Sequence, residues 1–236
     1  MSNKIDELSV FLPAYNEEGN IKKVILKTKA VLQKVASKWE LIIVNDGSKD
    51  KTLEIVQGLA KNDNHFKIVN HKINSGYGAS LASGLYASKY KWISFIDSDG
   101  QFDFGEITNF IDKQKETNAD LVIGYYKKRQ VSKFKIITSK IWEIAVMILF
   151  GLKVHDIDCG FKLISKKVVD SISHLESQRG AFVSSELLIK AKKKGFKIVE
   201  IPVTHYPRLQ GEGTGRNINV IIQSFKDLFN LWKKLN

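Results

Sequence analysis

Between residues 95 and 103 the chain reads FIDSDGQFD, crowding Asp97, Asp99 and Asp103 at the end of an apolar run. Like charges repel, so the grouping needs a cause. In an extended chain Asp97-Ser98-Asp99 sends both carboxylates to one side, because side chains alternate with period two. Two such carboxylates suit Mg2+ or Mn2+, hard cations that use one or two acids and keep positions for phosphate oxygens. The competing reading is a solvated loop whose acids cap a helix near residue 105. The cation reading is favoured because other polar groups recur at equivalent points of the chain.

Asn16 and Glu17 follow LSVFLPAY (8–15), a β-rich run expected to stop at Pro13. Asn45 and Asp46 close ELIIVNDGS (40–48), and Asn74 follows FKIVNH (66–71). The acids themselves end KWISFIDSDG (91–100). Each apolar run reads as a buried strand. Between them, residues 17–35 repeat apolar side chains with a helical period, 50–61 read as a helix with Asp50 as its N-cap, and 76–89 as a helix rich in small residues. This alternation predicts an α/β fold with a mostly parallel central sheet flanked by helices. In such sheets ligands bind at the carboxyl ends of the strands, where all these polar clusters fall.

The second half is less regular. Residues 105–125 read as helix then strand, 131–152 as helix, 159–165 as strand, 182–195 as helix and 196–206 as strand. The last segment, NVIIQSFKDLFNLWKKLN, is amphipathic, with Ile221, Phe225, Leu228 and Trp232 on one face. No linker composition interrupts the chain. One catalytic domain over 1–218 with a C-terminal helix over 219–236 is expected.

Among 236 residues there is one cysteine, Cys159, too few for a disulfide framework or a thiolate zinc site. The five histidines show no metal-ligand spacing and are read as structural or solvated. The N-terminus lacks the long apolar stretch of a signal peptide. The longest uncharged apolar run, IAVMILFGL (144–152), is far short of the roughly 20 residues that span a bilayer. A cytoplasmic protein, soluble or peripheral on the membrane's cytoplasmic face, is the expectation. The net charge of +12 admits phosphorylated substrates, anionic lipid or nucleic acid without choosing among them.

LPAYNEEGNI, VNDGSKDKT, NSGYGASLASG and FIDSDGQFD, in this order and spacing, resemble family 2 glycosyltransferases of the GT-A fold. DIDCGFKLIS and the stretch from SSELLIKAKKKG to HYPRLQGEGTG resemble the branch holding dolichol-phosphate mannose and polyprenyl-phosphate sugar synthases. The resemblance covers about residues 7–230. It implies a metal-dependent, inverting hexosyltransferase of the cell envelope that uses Mg2+ or Mn2+.

The resemblance implies roles residue by residue. Pro13, Tyr15 and Glu17 line the base and ribose, and Asp46 contacts the base. Its neighbour, usually acidic, is here Asn45. Asn74 and Gly76 complete the nucleotide-sugar contacts. Asp97 and Asp99 hold metal and diphosphate, with Gln101 beside them. Asp156 is the catalytic base or acceptor positioner, and Asp158, two residues on, is an alternative for that role. Arg208 and Arg216 belong to a loop closing over the phosphates, although GTGR replaces the Ser-Lys frequent there.

The donor implied is a UDP- or GDP-sugar, and the acceptor a polyprenyl phosphate. The alternative is a glycan or surface-polysaccharide acceptor, for which a general base is essential. Residues 121–142 carry six basic residues (Lys127, Lys128, Arg129, Lys133, Lys135 and Lys140) and no acid, then run into the apolar stretch. This suits an interfacial helix on anionic lipid. The C-terminal helix is a second candidate, and the alternative is that both helices pack on the domain or form a homodimer. A dinucleotide oxidoreductase is excluded, because PAYNEEGN stands where Gly-x-Gly-x-x-Gly is required. No nucleic-acid partner is expected, since such a module has no use for acids at the strand ends.

Overall fold

The computed structural model describes residues 4–127, 133–177, 182–208 and 218–235. The first half alternates as expected: β1 (Ile5–Ala14), α1 (Ile21–Val35), β2 (Ala36–Asp46), α2 (Thr52–Ala60), β3 (Phe66–His71), α3 (Tyr77–Ala87) and β4 (Trp92–Phe95). A short 3-10 turn, Phe104–Glu106, precedes α4 (Ile107–Thr117) and β5 (Leu121–Tyr126). Then come α5 (Lys133–Phe150), β6 (Lys162–Ser165), α6 (Lys166–Ser171), α7 (Phe182–Lys193), β7 (Ile198–Val203) and α8 (Ile218–Leu235).

The seven strands form one sheet in the order β3-β2-β1-β4-β6-β5-β7. All pairings are parallel except those of β6, which runs antiparallel to β4 and to β5. That reversal decides where the site lies. Phe95 of β4 faces Lys162 of β6, so the segment leaving β4 and the segment entering β6 meet at one sheet edge. Strand β7 lies parallel to β5 and delivers residues 204–208 to the same edge.

Apolar side chains pack on both sheet faces. Ile21, Ile25 and Leu32 of α1, Val56 of α2 and Phe110 of α4 share a core with Leu8, Val10 and Leu12 of β1. On the other face Leu81 and Leu85 of α3, Trp142 and Val146 of α5, Leu187 and Leu188 of α7, and Leu228 and Leu231 of α8 pack with Phe11, Ile93 and Phe95. Fully burying one such side chain stabilises by about 1.5–3 kcal/mol.

Several local expectations are corrected. Strand β1 does not stop at Pro13 but continues to Ala14. Beyond Phe11 it has lost its β4 neighbour, so the missing proline N–H breaks no ladder bond there. Strand β2 begins at Ala36, directly after α1, earlier than the sequence pattern suggested. Asp50 precedes the cap position of α2, yet its carboxylate still accepts the Thr52 N–H at 3.0 Å. Glu186 is buried within α7, paired with Lys190 at 2.6 Å, and accepts from the Ser177 N–H at 2.9 Å and hydroxyl at 2.6 Å.

Among the described residues, no helix is long and apolar enough to cross a membrane. Helix α8 packs on α5 and α7, contributing Leu228 and Leu231 to their core, and Phe225 meets the Trp142 ring at 5.1 Å. Helix α5 buries Trp142, Val146 and Phe150 but turns Ile141, Ile144, Met147 and Ile148 outward, the last 72% exposed.

Candidate active site

Asp103 answers part of the question its charge raises. Its carboxylate accepts the Gly105 N–H at 2.9 Å and caps the 3-10 turn, so it is a structural cap. Asp97 and Asp99 remain at the end of β4. Asp99 is buried, and one of its oxygens accepts the Gln101 N–H at 3.0 Å. Asp97 accepts the Tyr77 hydroxyl at 2.9 Å. Burial pushes the Asp97 carboxyl up to about 7; Asp99 pushes the same way, while Tyr77 and Lys162 oppose. Low dielectric and a neighbouring carboxylate both disfavour the ionised form.

Arg208 closes this group from the β7 side. One guanidinium nitrogen pairs with Glu17, and another lies 3.6 Å from Asp99. Its segment is tied down by Gln101, whose side-chain amide donates to the Tyr206 carbonyl at 3.0 Å and whose carbonyl accepts the Tyr206 N–H at 2.9 Å. Glu17 is buried, and its second oxygen accepts from Asn20 at 2.8 Å. Burial raises the Glu17 carboxyl above its ordinary value, and Asn20 and Arg208 counter it. Pro13 is buried at the base of the edge, where its carbonyl accepts the Ser98 hydroxyl at 2.7 Å. Tyr15 is 36% exposed at the rim.

A second cluster lies on the loops after β2 and β3. Asp46 accepts the Ser75 and Gly76 N–H groups, each at 2.9 Å, and contacts the His71 ring at 2.7 Å. The far ring nitrogen of His71 lies 2.9 Å from the Ser83 hydroxyl. Asn74 is exposed beside them. Gly47, at φ +67°, is what lets the loops touch: a Cβ there would lie 2.5 Å from the Ile73 carbonyl carbon and 2.6 Å from the Asn74 nitrogen.

The third group is the turn before β6. Asp156 is buried and accepts the Asp158 N–H at 3.1 Å, so it stabilises the turn, whereas Asp158 is exposed. Cys159 is buried, and burial pushes its thiol up to about 12. Lys162 is fully buried, and its ammonium donates to the Ile157 carbonyl at 3.3 Å and to the Cys159 carbonyl. Burial pushes that ammonium below its ordinary value, and Cys159, Asp156, Asp158 and Asp97 oppose it.

The structure therefore brings Pro13, Glu17, Asp97, Asp99, Gln101, Asp156, Asp158 and Arg208 to one edge, with Asp46, Asn74 and Gly76 on the adjoining loops. Arg216 lies outside the described residues, as do Lys128 and Arg129. Sequence reasoning missed Tyr77, His71 and Lys162. A lysine inside the otherwise apolar CGFKLIS was the available signal for Lys162. Tyr77 and His71 carried none, because a tyrosine opening a helix and a histidine ending a strand are ordinary occupants.

Among the described residues no cluster of three or more histidines, cysteines or acids forms a complete metal cage. Two adjacent carboxylates are still the donor set that fits a cation sharing its shell with a diphosphate. Burial first, and Asp99 beside it second, raise the Asp97 carboxyl, so a cation bound there would compete with a proton.

The model of the family described as "Glycosyl transferase family 2" matches residues 9–173, and the chain belongs to that family. Among curated proteins it is 30% identical over 236 residues to a dolichyl-phosphate beta-glucosyltransferase of Trichomonas vaginalis, covering 95% of this chain and 72% of that protein. It is 27% identical over 233 residues to a dodecaprenyl-phosphate galacturonate synthase of Rhizobium johnstonii, covering 94% of this chain and 67% of that one. The fold is the GT-A arrangement. A solved glucosyl-3-phosphoglycerate synthase of Mycobacterium tuberculosis, in complex with Mn2+ and uridine diphosphate, superposes with a TM-score of 0.72 at 20% identity, over 95% of this chain and 79% of that one.

Proposed function

We propose that this glycosyltransferase moves a sugar from a UDP- or GDP-sugar to a polyprenyl phosphate, inverting the anomeric carbon. The observation that carries this reading is the match over 95% of the chain to a dolichyl-phosphate beta-glucosyltransferase, which extends past the family model into the segments bearing Arg208 and α8. A divalent cation held by Asp97 and Asp99 would neutralise the diphosphate and improve it as a leaving group. Arg208 would exchange its pairs with Glu17 and Asp99 for phosphate oxygens, adding charge-assisted hydrogen bonds as negative charge develops. Glu17 and Gln101 hold the Arg208 segment in reach. Asp46, with Asn74 and Gly76, forms the seat for the base.

The attacking atom is an oxygen of the lipid phosphate. It is largely ionised near neutral pH, its second pKa being about 6 by analogy with phosphoserine. A strong base is then unnecessary, and Asp156 orients the turn while exposed Asp158 faces the acceptor. The outward face of α5, with Ile141, Ile144 and Ile148, supports a further element of the reading. It would rest on the lipid surface that holds the acceptor, since α5 runs directly into the Asp156 turn.

The test is transfer by purified protein, with Mn2+ or Mg2+, from a panel of UDP- and GDP-sugars to short-chain polyprenyl phosphate in detergent, with Asp99→Ala as control. Metal-dependent glycosylated lipid phosphate, lost in the variant, is expected. Donor hydrolysis with no lipid product would move the acceptor to a glycan and refute the lipid reading.

A further inference from the structure

Lys162 is a fully buried cation that no step above employs. It opens β6 opposite Phe95, two residues before Asp97, and its ammonium lies 5.6 Å from the Phe95 ring centroid. Its hydrogen bonds go to main-chain carbonyls of the turn, those of Ile157 and Cys159. These two carbonyls flank Asp158, and the Asp158 N–H is bound by Asp156. The turn also touches the donor side of the site. A Cβ on Gly160 would lie 2.6 Å from a carboxylate oxygen of Asp97, so the turn's backbone is laid directly on that acid. A buried lysine is costly to desolvate and is kept where it gains specific partners. Here those partners are the backbone that aims Asp156 and Asp158.

We propose that Lys162 is a positioning residue for sugar transfer: it locks the 156–160 turn so that Asp156 and Asp158 stand in fixed relation to Asp97. The inference rests on the transferase reading above. It separates two jobs within the site. Nucleotide and cation are gripped by Asp46, Asp97, Asp99 and Arg208, which are oriented by hydrogen bonds to Gly76, Tyr77, Gln101 and Glu17. The approach of the acceptor depends on the turn. Loss of the ammonium should therefore slow transfer while leaving donor binding in place.

The experiment compares wild type, Lys162→Met and Gly160→Ala as full chains. Binding of UDP and GDP with Mn2+ is measured by calorimetry, kcat by transfer to short-chain polyprenyl phosphate, and folding by melting temperature. For Lys162→Met, kcat should fall about 10- to 100-fold, the range for losing a group that orients reacting residues. Its nucleotide affinity should stay within about threefold of wild type. Gly160→Ala, which forces the turn off Asp97, should lose kcat and Mn2+-dependent nucleotide affinity together. Unchanged kcat in Lys162→Met overturns the inference, as does a loss of kcat matched by an equal loss of nucleotide affinity. If Lys162→Met does not fold, Lys162→Gln, uncharged and too short to reach both carbonyls, takes its place, and wild-type kcat there overturns the inference. A wild-type chain that binds nucleotide but glycosylates no polyprenyl phosphate overturns the acceptor reading, and this inference with it.

Discussion

Lowering the pH from 8 to 6 should weaken cation-dependent donor binding through one group, Asp97. Burial and Asp99 push its carboxyl up to about 7. A proton and a divalent cation compete for the same oxygens, so affinity scales with the ionised fraction. That fraction is about nine-tenths at pH 8, half at pH 7 and one-tenth at pH 6, a tenfold loss of affinity or about 1.4 kcal/mol across the range. The assay is calorimetric titration of Mn2+ with a UDP- or GDP-sugar, whose doubly esterified diphosphate does not titrate in this window. Repeating it in buffers of different ionisation enthalpy counts protons released on binding. About 0.9 should leave per site at pH 6 and about 0.1 at pH 8. The stability of the metal-free protein should move the opposite way. The folded pKa is raised, so the folded state keeps a proton that the unfolded chain has lost. This contribution is fully present below about pH 4 and declines as pH rises through about 7. Affinity flat from pH 6 to 8, with no proton release, would refute the idea that a proton on Asp97 competes with the cation.

Replacing Arg208 by Ala should lower kcat by about 10²–10³, as for loss of one charge-stabilising donor. Arg208→Lys should recover only part of it, because a single ammonium cannot span both Glu17 and Asp99; full activity in the lysine variant would remove the two-armed role. Glutamate at both Ile144 and Ile148 should abolish binding to anionic vesicles and slow transfer to acceptor embedded in them, yet spare transfer to short-chain acceptor in detergent. Equal loss in both assays would return the α5 face to a folding role. Glu186→Ala leaves the Lys190 ammonium buried beside only the Ser173 and His174 carbonyls. It should cost about 3 kcal/mol or more of stability in denaturant titrations, and a loss below 1 kcal/mol would show the pair to be dispensable.

The alternation of the first hundred residues was legible because buried strands and amphipathic helices obey different periods, and Ile21, Ile25 and Leu32 meet the helical one. The strand-end clusters were legible for the same reason: once strands are placed in a parallel sheet, the residues just past their ends share an edge. The direction of β6 was not. KLIS carries no feature that separates a parallel from an antiparallel strand, and pairing depends on Phe95 and Ile123, far away in sequence. The surroundings of Glu186 were not legible either, because helix position alone cannot reveal that Ser177 and Lys190 close around it. Asp103 could be assigned to capping only when its carboxylate was seen on the Gly105 amide.

The reversal of β6 also explains how one short segment comes to lie beside the acids that end β4. Were β6 parallel to β4, residues 156–161 would enter the sheet at the edge opposite Asp97. Antiparallel pairing puts them beside it, with Gly160 against the Asp97 carboxylate and Lys162 level with Phe95. Asp97 and Asp99 therefore come from a strand's exit, and Asp156 and Asp158 from the neighbouring strand's entrance. Ladder hydrogen bonds of the sheet bring the two strand ends together, and the bonds made by Asp156 and Lys162 hold the turn beside them.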